Sequence, residues 1–596
     1  MENGTLQKYS TDTMQNPKIN SENIVRIIFV CVLALMILRN LMNYNSLMIL
    51  NDEFGYWGIA ASLSGYNWKE LISITPYYGF GYPILLAILL KFGFSMQMTY
   101  KMAVIGNAFM ICGSYFMAIY CGRKCFPNIS RKTIDVSSFF ILLYSNTLFQ
   151  AEIAWTETYL YFLFWLSMAL VLLINEKAST TRIGVFILCL FAMFVTHQRT
   201  LGILISGFIV LTLLIMKRKI NWKQATFIIA LSVLLLSIYI ILKKEIKNEY
   251  WTNSSLGMVN DFSTTSKSVL SLLSVTGIIG LIEGVCGRLF YFFCAGGIIF
   301  FMGFFLSIKN GVKEVLKMFS PKMETGLVYT YMTLSFLGSL GIAVLFMINN
   351  YTRLDIIVYG RYIENTVGPF LLFGICGLIE RALSKTRLGV YIGSLGLMGF
   401  ITIHYLSKVT TNDFVDVASV GTSFYFGTND KYAAIYILVL VSVCIALMVF
   451  WGQRCYNPIV RLLPFILMAG LWIRNAKFVS EKIVSNIQEF RTKENFDVAE
   501  QLNDSGITDV YYLVGGEQYG VNAKYLQFWI ADIEIHVIGE AERNLLPEDA
   551  VWIVENDSKK YYSSIKNSVI NKRRLYTIAT KKGSKWENVI ERIEKR

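Results

Sequence analysis

The sequence predicts an α-helical protein that crosses a membrane many times and ends in a small α/β domain. Of its 596 residues, 54% are hydrophobic and 16% are charged, whereas about a quarter of the residues in a soluble domain are charged. Apolar runs of about 18–22 residues, the length of a helix that crosses a bilayer, recur along most of the chain. After about residue 480 the pattern changes to short segments rich in Val, Ile and Tyr, which predict strands.

A polar segment, 1–23, precedes the first apolar run and is predicted to lie in the cytoplasm. Because no small-residue cleavage site follows that run, we expect it to remain as a membrane anchor. Hydropathy predicts about thirteen spans in all. Their approximate ranges are 24–44, 97–120, 134–150, 158–174, 184–197, 201–216, 224–242, 286–306, 325–348, 365–380, 387–405, 432–451 and 459–475. The stretch 83–94 is too short to cross a bilayer and is predicted to be a re-entrant or interfacial helix.

The positions of Lys and Arg predict the orientation of these spans. If the amino terminus is cytoplasmic, every loop on that side is basic and the opposite loops hold most of the acidic residues, as the positive-inside rule requires. The net charge of +14 then comes from cytoplasmic loops, which argues against nucleic-acid binding. The prediction is a multi-pass protein of a bacterial-type plasma membrane, with a transmembrane domain over 24–478 that includes a first outer loop over about 45–96.

The tail, 479–596, is predicted to be an extracytoplasmic α/β domain. Strands are predicted at 509–514, 534–539, 550–556 and 574–580, and helices at Glu494–Asn503, Asn522–Ala531 and Trp586–Ile593. Strands that alternate with helices indicate a small α/β fold. The sequence contains neither GxGxxG nor GxxxxGKS/T, so no nucleotide-binding loop is predicted.

Two acidic residues, Asp52 and Glu53, open the first outer loop in the run NDEFGYWGIAASLSGYNW. A carboxylate at the mouth of a membrane protein costs desolvation energy unless water, a cation or a substrate compensates it. Adjacent residues on a helix do not face each other, so we expect one to face a substrate and the other a structural or metal partner. The alternative is that both mark the membrane–water edge. The aromatic and glycine residues that follow, beginning with Tyr56, favour a functional role.

Three more charged residues are predicted on the same side. They are Glu157 in FQAEIAWTETYLYF, Arg199 in THQRT and Arg361 in NNYTRLDIIVYGRYIENTVGPF. Arginine binds phosphate bidentately, so both arginines are candidates for holding a phosphate, and Tyr362 is a candidate for packing on a sugar or an isoprenoid. The alternatives are a helix-dipole role for Glu157, snorkelling to lipid headgroups for Arg199 and a salt-bridged hinge for Arg361.

Taken together, these features resemble the C-type superfamily of integral membrane glycosyltransferases, in the branch that contains protein O-mannosyltransferases and the lipid A aminoarabinose transferase. The likeness is carried by DEFGYWGIAASLSGYNW and, less specifically, by YGRYIEN with a proline after it. It implies a hexosyl- or pentosyltransferase that moves a sugar, with inversion, from a polyprenyl-phosphate donor to a glycan, lipid or protein outside the membrane. It implies a catalytic role for Asp52, and we add Glu53. The predicted substrate-binding residues are Tyr56, Glu157, Arg199, Arg361 and Tyr362.

One departure from the superfamily concerns the end of the first loop. Relatives often carry a basic residue and paired prolines there, where this chain reads YGFGYP over 78–83. The phosphate contact would then fall to Arg199 or Arg361. Some members use a divalent metal ion and others do not, and no ligand spacing here decides between them. The tail would cap the cavity or bind the acceptor.

Three other functions stay open at this point. A transporter or flippase of lipid-linked sugars would carry charged residues inside its spans and show repeat symmetry, and the charges of this chain gather at one face instead. A non-catalytic scaffold for envelope assembly would tolerate loss of Asp52. A glycan polymerase or ligase would catalyse a similar reaction, and the pattern of the first loop alone distinguishes the predicted glycosyltransferase from it.

Overall fold

The computed structural model describes residues 21–43, 46–251, 268–316, 325–487, 493–513, 521–538, 547, 549–555, 568–572 and 576–592. They form a helical bundle followed by a small mixed sheet, which confirms the predicted α-helical membrane class with an α/β tail. The predicted cytoplasmic segment 1–23 lies outside the described residues, except for 21–23.

The helices are α1 Ser21–Leu38, α2 Leu50–Ser64, α3 Lys69–Ser73, α4 Gly81–Leu90, α5 Met96–Cys125, α6 Arg131–Leu142, α7 Ser145–Ala151, α8 Thr156–Glu176, α9 Thr180–Thr196, α10 Leu201–Met216, α11 Trp222–Tyr250, α12 Val275–Ala295, α13 Gly297–Leu316, α14 Gly326–Phe346, α15 Val367–Glu380, α16 Lys385–Leu406, α17 Ser423–Thr428, α18 Lys431–Gly452, α19 Pro458–Ile487, α20 Lys493–Asp504, α21 Val521–Trp529 and α22 Glu587–Arg592. The strands are β1 Asp509–Leu513, β2 Glu534–Ile538, β3 Val551–Glu555, β4 Ser568–Lys572 and β5 Tyr576–Lys581.

Among the described residues, 10 helices are long and apolar enough to cross a membrane. They are α1, α5, α8, α10, α11, α12, α14, α16, α18 and α19. Three other predicted spans are built from shorter helices: 134–150 is divided between α6 and α7, 184–197 is the 17-residue α9, and 365–380 is the 14-residue α15.

The predicted span 286–306 is wrong as a continuous helix. α12 ends at Ala295 and α13 begins at Gly297, whose φ of +60° lies in the left-handed region. Glycine adopts that conformation without the steric cost that a Cβ imposes. The apolar run continues through the break, so hydropathy alone does not detect it.

The first outer loop consists of α2, α3 and α4, and it is fixed against the end of α9. The backbone N–H of Phe80 donates to the carbonyl of Val195 at 3.1 Å. Gly79 has a φ of +140°, and a Cβ there would lie 2.3 Å from the carbonyl oxygen of Thr196. The aromatic and glycine stretch therefore lets two backbones approach closely, and it positions the segment that follows α2.

The tail sheet has the order β2-β1-β3-β5-β4, with β1 parallel to β2 and β3, and β5 antiparallel to β3 and β4. Four of its strands coincide with predicted ones. The edge strand β4 was not predicted, because its sequence SVINK has just two adjacent apolar residues and no alternation.

The tail packs on the first outer loop. The ring of Phe528 in α21 lies 5.3 Å from that of Trp57 in α2, and the indole N–H of Trp68 donates to the carbonyl of Ala531 at 3.0 Å. The ammonium of Lys524, which is buried, donates to Asn51 Oδ1 at 3.1 Å and to the carbonyl of Ile74 at 3.3 Å. The tail therefore lies at the same end of the bundle as Asp52.

Candidate active site

Four charged side chains meet at the end of the bundle that carries the first outer loop. Asp52 comes from the first turn of α2, and Glu157 comes from the first turn of α8. Arg199 lies in the turn between α9 and α10, and Arg361 lies in the loop that precedes α15. Each position is a helix start or a connection, so apolar runs far apart in the sequence deliver their polar ends to one place.

The four groups form a continuous chain of ion pairs, Asp52–Arg361–Glu157–Arg199. The Nη1 of Arg361 donates to Asp52 Oδ2, and its Nε donates to Glu157 Oε1 at 2.7 Å. The Nη2 of Arg199 donates to the other oxygen of Glu157, Oε2. Glu157 is thus the shared anchor of both arginines, and the cluster of two acids and two bases is neutral overall.

Aromatic rings orient the two guanidinium groups. Arg361 lies over the ring of Trp155 at 4.0 Å, and Arg199 lies over the ring of Tyr362 at 4.9 Å. Such contacts are cation–π interactions and favour one plane for each guanidinium. Tyr362 in turn packs against Tyr359, with 5.0 Å between ring centroids.

Solvent reaches one end of the chain of ion pairs. The side chain of Asp52 is 20% exposed, whereas those of Arg361, Glu157 and Arg199 are 7%, 5% and 3% exposed. Burial raises the pKa of Asp52, but the charge of Arg361 and hydrogen bonds from Tyr78 and Arg361 outweigh it and hold that pKa below its usual value. Asp52 is therefore an ionised carboxylate at the accessible end.

Arg199 keeps free donors at the buried end. Within the described residues, its Nε and Nη1 are buried and have no hydrogen-bond acceptor. An unpaired donor on a charged, buried group costs free energy, and an anionic oxygen would relieve that cost. The cluster therefore combines an accessible base with an unsatisfied cationic donor.

Glu53 faces away from this cluster. It is fully buried and accepts hydrogen bonds from the backbone N–H groups of Met48 and Ile49 and, at 2.6 Å, from the hydroxyl of Tyr100. Burial raises its pKa to about 7. The carboxylate holds the start of α2, so the geometry gives no support to the predicted catalytic role of Glu53, which stays a prediction.

Of the two predicted tyrosines, one contacts the cluster and the other does not. Tyr362 contacts the cluster directly, whereas Tyr56 is fully buried behind it, with its hydroxyl 3.3 Å from Thr156 Oγ1. In the loop before α15, Arg353 pairs with Asp355 and does not join the cluster.

Two contributors were not predicted, Tyr78 and Trp155. Trp155 stands two residues before Glu157, and that proximity was an available signal, whereas Tyr78 stands in YGFGYP, which contains no charged residue.

The described residues contain one group that could hold a metal ion, Asp509, Glu534 and His536, whose ligand atoms lie within 4.8 Å of one another. The group belongs to the tail sheet and not to the Asp52 cluster. Each carboxylate of the cluster already contacts a guanidinium, so a divalent cation there would be repelled by a neighbouring positive charge. The divalent metal ion that the sequence leaves open is therefore not assigned to Asp52.

No protein-family model and no curated protein matches the sequence. Two solved structures of ArnT from Cupriavidus metallidurans, one bound to undecaprenyl phosphate and one in the apo state, match over 94% of this chain and 98% of theirs. Their TM-scores are 0.51 and 0.50, at 11% and 12% sequence identity. This chain has the ArnT fold.

The expected resemblance to C-type glycosyltransferases is therefore confirmed as a likeness of fold. The Archaeoglobus fulgidus oligosaccharyltransferase tethered with an acceptor peptide is similar over 86% of this chain and 64% of that chain, with a TM-score of 0.40 and 10% identity. That score is too low to support an argument.

Proposed function

We propose that the protein is a membrane glycosyltransferase that moves a sugar from a polyprenyl-phosphate donor to an acceptor on the outer face of the membrane. The observation that carries the proposal is the chain of ion pairs Asp52–Arg361–Glu157–Arg199. The shared fold with ArnT, one structure of which contains undecaprenyl phosphate, supports a donor of this chemical class.

Asp52 acts as the base that activates the acceptor. Its carboxylate takes the proton of the attacking hydroxyl or amine while the acceptor atom forms a bond to the anomeric carbon. A base held ionised by Arg361 and Tyr78 is ready at neutral pH.

Arg361 and Arg199 hold the leaving phosphate. As the bond between the anomeric carbon and the phosphate oxygen breaks, the electron pair moves to that oxygen, and the new charge needs cationic donors. Arg199 has two free ones. Arg361 shifts part of its contact from Asp52 to the phosphate, which makes Asp52 a stronger base when the donor is bound.

Glu157 keeps both arginines in place, because it accepts from each through a different oxygen. The surrounding aromatic rings limit the access of water, which protects the activated sugar from hydrolysis.

The decisive experiment compares Asp52→Asn with the unaltered protein. Asn keeps the size of the side chain and removes its charge, so consumption of a panel of polyprenyl-phosphate sugars should fall by about 10²–10⁴-fold. Arg361 keeps its bond to Glu157, so we expect the thermal unfolding temperature to change little.

Asp416→Asn is the matched control. Asp416 is a buried acid that pairs with Lys482 at 2.6 Å and does not contact the cluster, so its variant should turn over donor normally. Equal donor consumption by Asp52→Asn and unaltered protein would remove Asp52 from the mechanism. No consumption of any donor in the panel by unaltered protein would contradict the proposal.

A further inference from the structure

A cavity lies at the opposite end of the bundle from Asp52. It has a volume of about 810 Å³, within the range of ligand-binding pockets. The carboxyl-terminal end of α15 forms part of its wall, and α15 begins just after the Arg361 loop. Fourteen residues of helix separate the two regions by about 20 Å, so this cavity is separate from the candidate active site.

The cavity is a groove between two helices that converge at one end. α19 packs along α7, which continues α6, and the ring of Phe140 in α6 lies 5.0 Å from Trp472 and 6.0 Å from Phe465 in α19. From this closed end the groove runs to the amino-terminal ends of α6 and α19, its open end, where the wall residues Lys132 and Arg461 are exposed. Its walls are mostly apolar, and several wall residues, such as Val136 and Ile466, are 50% and 62% exposed.

Two cations, Lys132 and Arg461, lie at the open end. Within the described residues, neither forms an ion pair, and Arg461 uses its Nε on the carbonyl of Cys455 at 2.6 Å. Two other cations nearby are paired: Arg123 contacts Asp135 at 2.7 Å and Lys124 contacts Glu176 at 2.6 Å. The groove therefore presents two unpaired positive charges beside an apolar channel, with no acidic residue in its wall.

The polar group at the base of the groove is already satisfied. The side chain of Gln453 donates to the carbonyl of Leu378 at 3.0 Å and accepts from the backbone N–H of Leu383 at 2.7 Å. The charged groups of the wall that a ligand would engage are thus the two cations, and an anionic oxygen is the partner that suits both.

We propose that this groove binds an anionic glycerophospholipid, with its phosphate between Lys132 and Arg461 and an acyl chain along the apolar wall. Charge complementarity selects the headgroup, because a zwitterionic lipid offers its phosphate together with a cation that these residues repel. The amino-terminal ends of α6 and α19 add partial positive charge at the same mouth.

Native mass spectrometry of the purified protein, titrated with phosphatidylglycerol, phosphatidylcholine or a polyprenyl phosphate, tests the proposal. We expect saturable binding of phosphatidylglycerol and weaker binding of phosphatidylcholine. The double variant Lys132→Gln/Arg461→Gln should weaken phosphatidylglycerol binding by about tenfold. Ala469→Trp, which fills the groove without changing charge, should weaken it as well.

The matched control is Lys223→Gln/Lys385→Gln, which removes the same charge from exposed residues outside the groove and should bind as the unaltered protein does. Three results would overturn the proposal: equal binding by the groove variant and unaltered protein, an equal loss in the control, or a larger loss of polyprenyl-phosphate binding than of phosphatidylglycerol binding in the groove variant. Thermal unfolding in detergent verifies that each variant is folded.

Discussion

The two adjacent acids at the start of α2 have different surroundings because a helix turns by about 100° per residue. Asp52 faces Arg361 and solvent, whereas Glu53 faces the preceding backbone and Tyr100. The same rotation that brings one carboxylate to the site removes the other from it. Function at this position therefore depends on which way the first turn of α2 points.

The hydroxyl of Tyr78 provides a test at the level of a single group. It donates a hydrogen bond to Asp52 and helps to keep the pKa of that carboxylate low. A carboxylate with a lowered pKa stays ionised until the pH falls through that value, so the activity that depends on it is retained until then. In Tyr78→Phe the pKa of Asp52 rises, and the acidic limb of the pH–rate profile should move up by about one pH unit.

Tyr159→Phe serves as the control for this variant, since its half-buried ring packs against Tyr82 and, within the described residues, does not contact Asp52. Its acidic limb should coincide with that of the unaltered protein. If Tyr78→Phe leaves the limb in place, Asp52 is not the titrating base. Steady-state rates, measured from neutral pH down to below the ordinary carboxylate pKa of about 4, decide the matter.

Among the elements, α21 of the tail holds the first outer loop through Lys524, which bridges Asn51 and the carbonyl of Ile74. This bridge ties together the two ends of the α2–α3 segment that carries Asp52. The tail thus contributes to the site by fixing a loop, in addition to the predicted capping or acceptor binding.

The bridge has a pH dependence with a defined sign. Burial lowers the pKa of Lys524 to about 8 from its ordinary 10.5, so the folded state favours the neutral amine. The contribution of Lys524 to the free energy of unfolding is therefore present at high pH and is lost as the pH falls through about 8. The unfolding temperature of unaltered protein relative to Lys524→Met should therefore rise between pH 7 and pH 10.

The control is Lys585→Met, which removes an exposed tail lysine that packs over Trp586. Its unfolding temperature should differ from that of unaltered protein by an amount that does not change with pH. A constant difference for Lys524→Met across the same range would mean that the buried amine does not titrate as described. Differential scanning fluorimetry in detergent measures both variants.

For the whole molecule, the structure places the tail and the candidate active site at one end of the bundle and the groove between α6 and α19 at the other. The distribution of Lys and Arg predicts that the first end is outside the cell. In intact cells, a membrane-impermeant maleimide should then label Lys582→Cys, in the exposed turn of the tail, above the level of unaltered protein.

Lys385→Cys, at the start of α16 and exposed at the opposite end, should react above that background after the cells are permeabilised and not before. The reversed pattern would place the amino terminus outside and contradict the predicted orientation. Mass-spectrometric counting of labelled sites separates the new cysteines from the native ones.

The sequence by itself determined the class of the protein and most of its elements. Hydropathy is a local property that adds along a segment, so most of the spans follow from composition. Enrichment in Val, Ile and Tyr is equally local, and it predicted β1, β2, β3 and β5. Asp52, Arg199 and Arg361 were found because charges are rare in such a chain and each stands at the end of an apolar run.

The tertiary structure alone decided which of these charges meet. Asp52 and Arg361 are 309 positions apart, and no local pattern encodes a contact at that distance. The break at Gly297, the outward position of Asp52 relative to Glu53, and the anchoring of both arginines on Glu157 depend on how helices pack, because each is a relation between segments. Local sequence properties therefore identified the charged residues, and the packing of the helices determined which of them form one site.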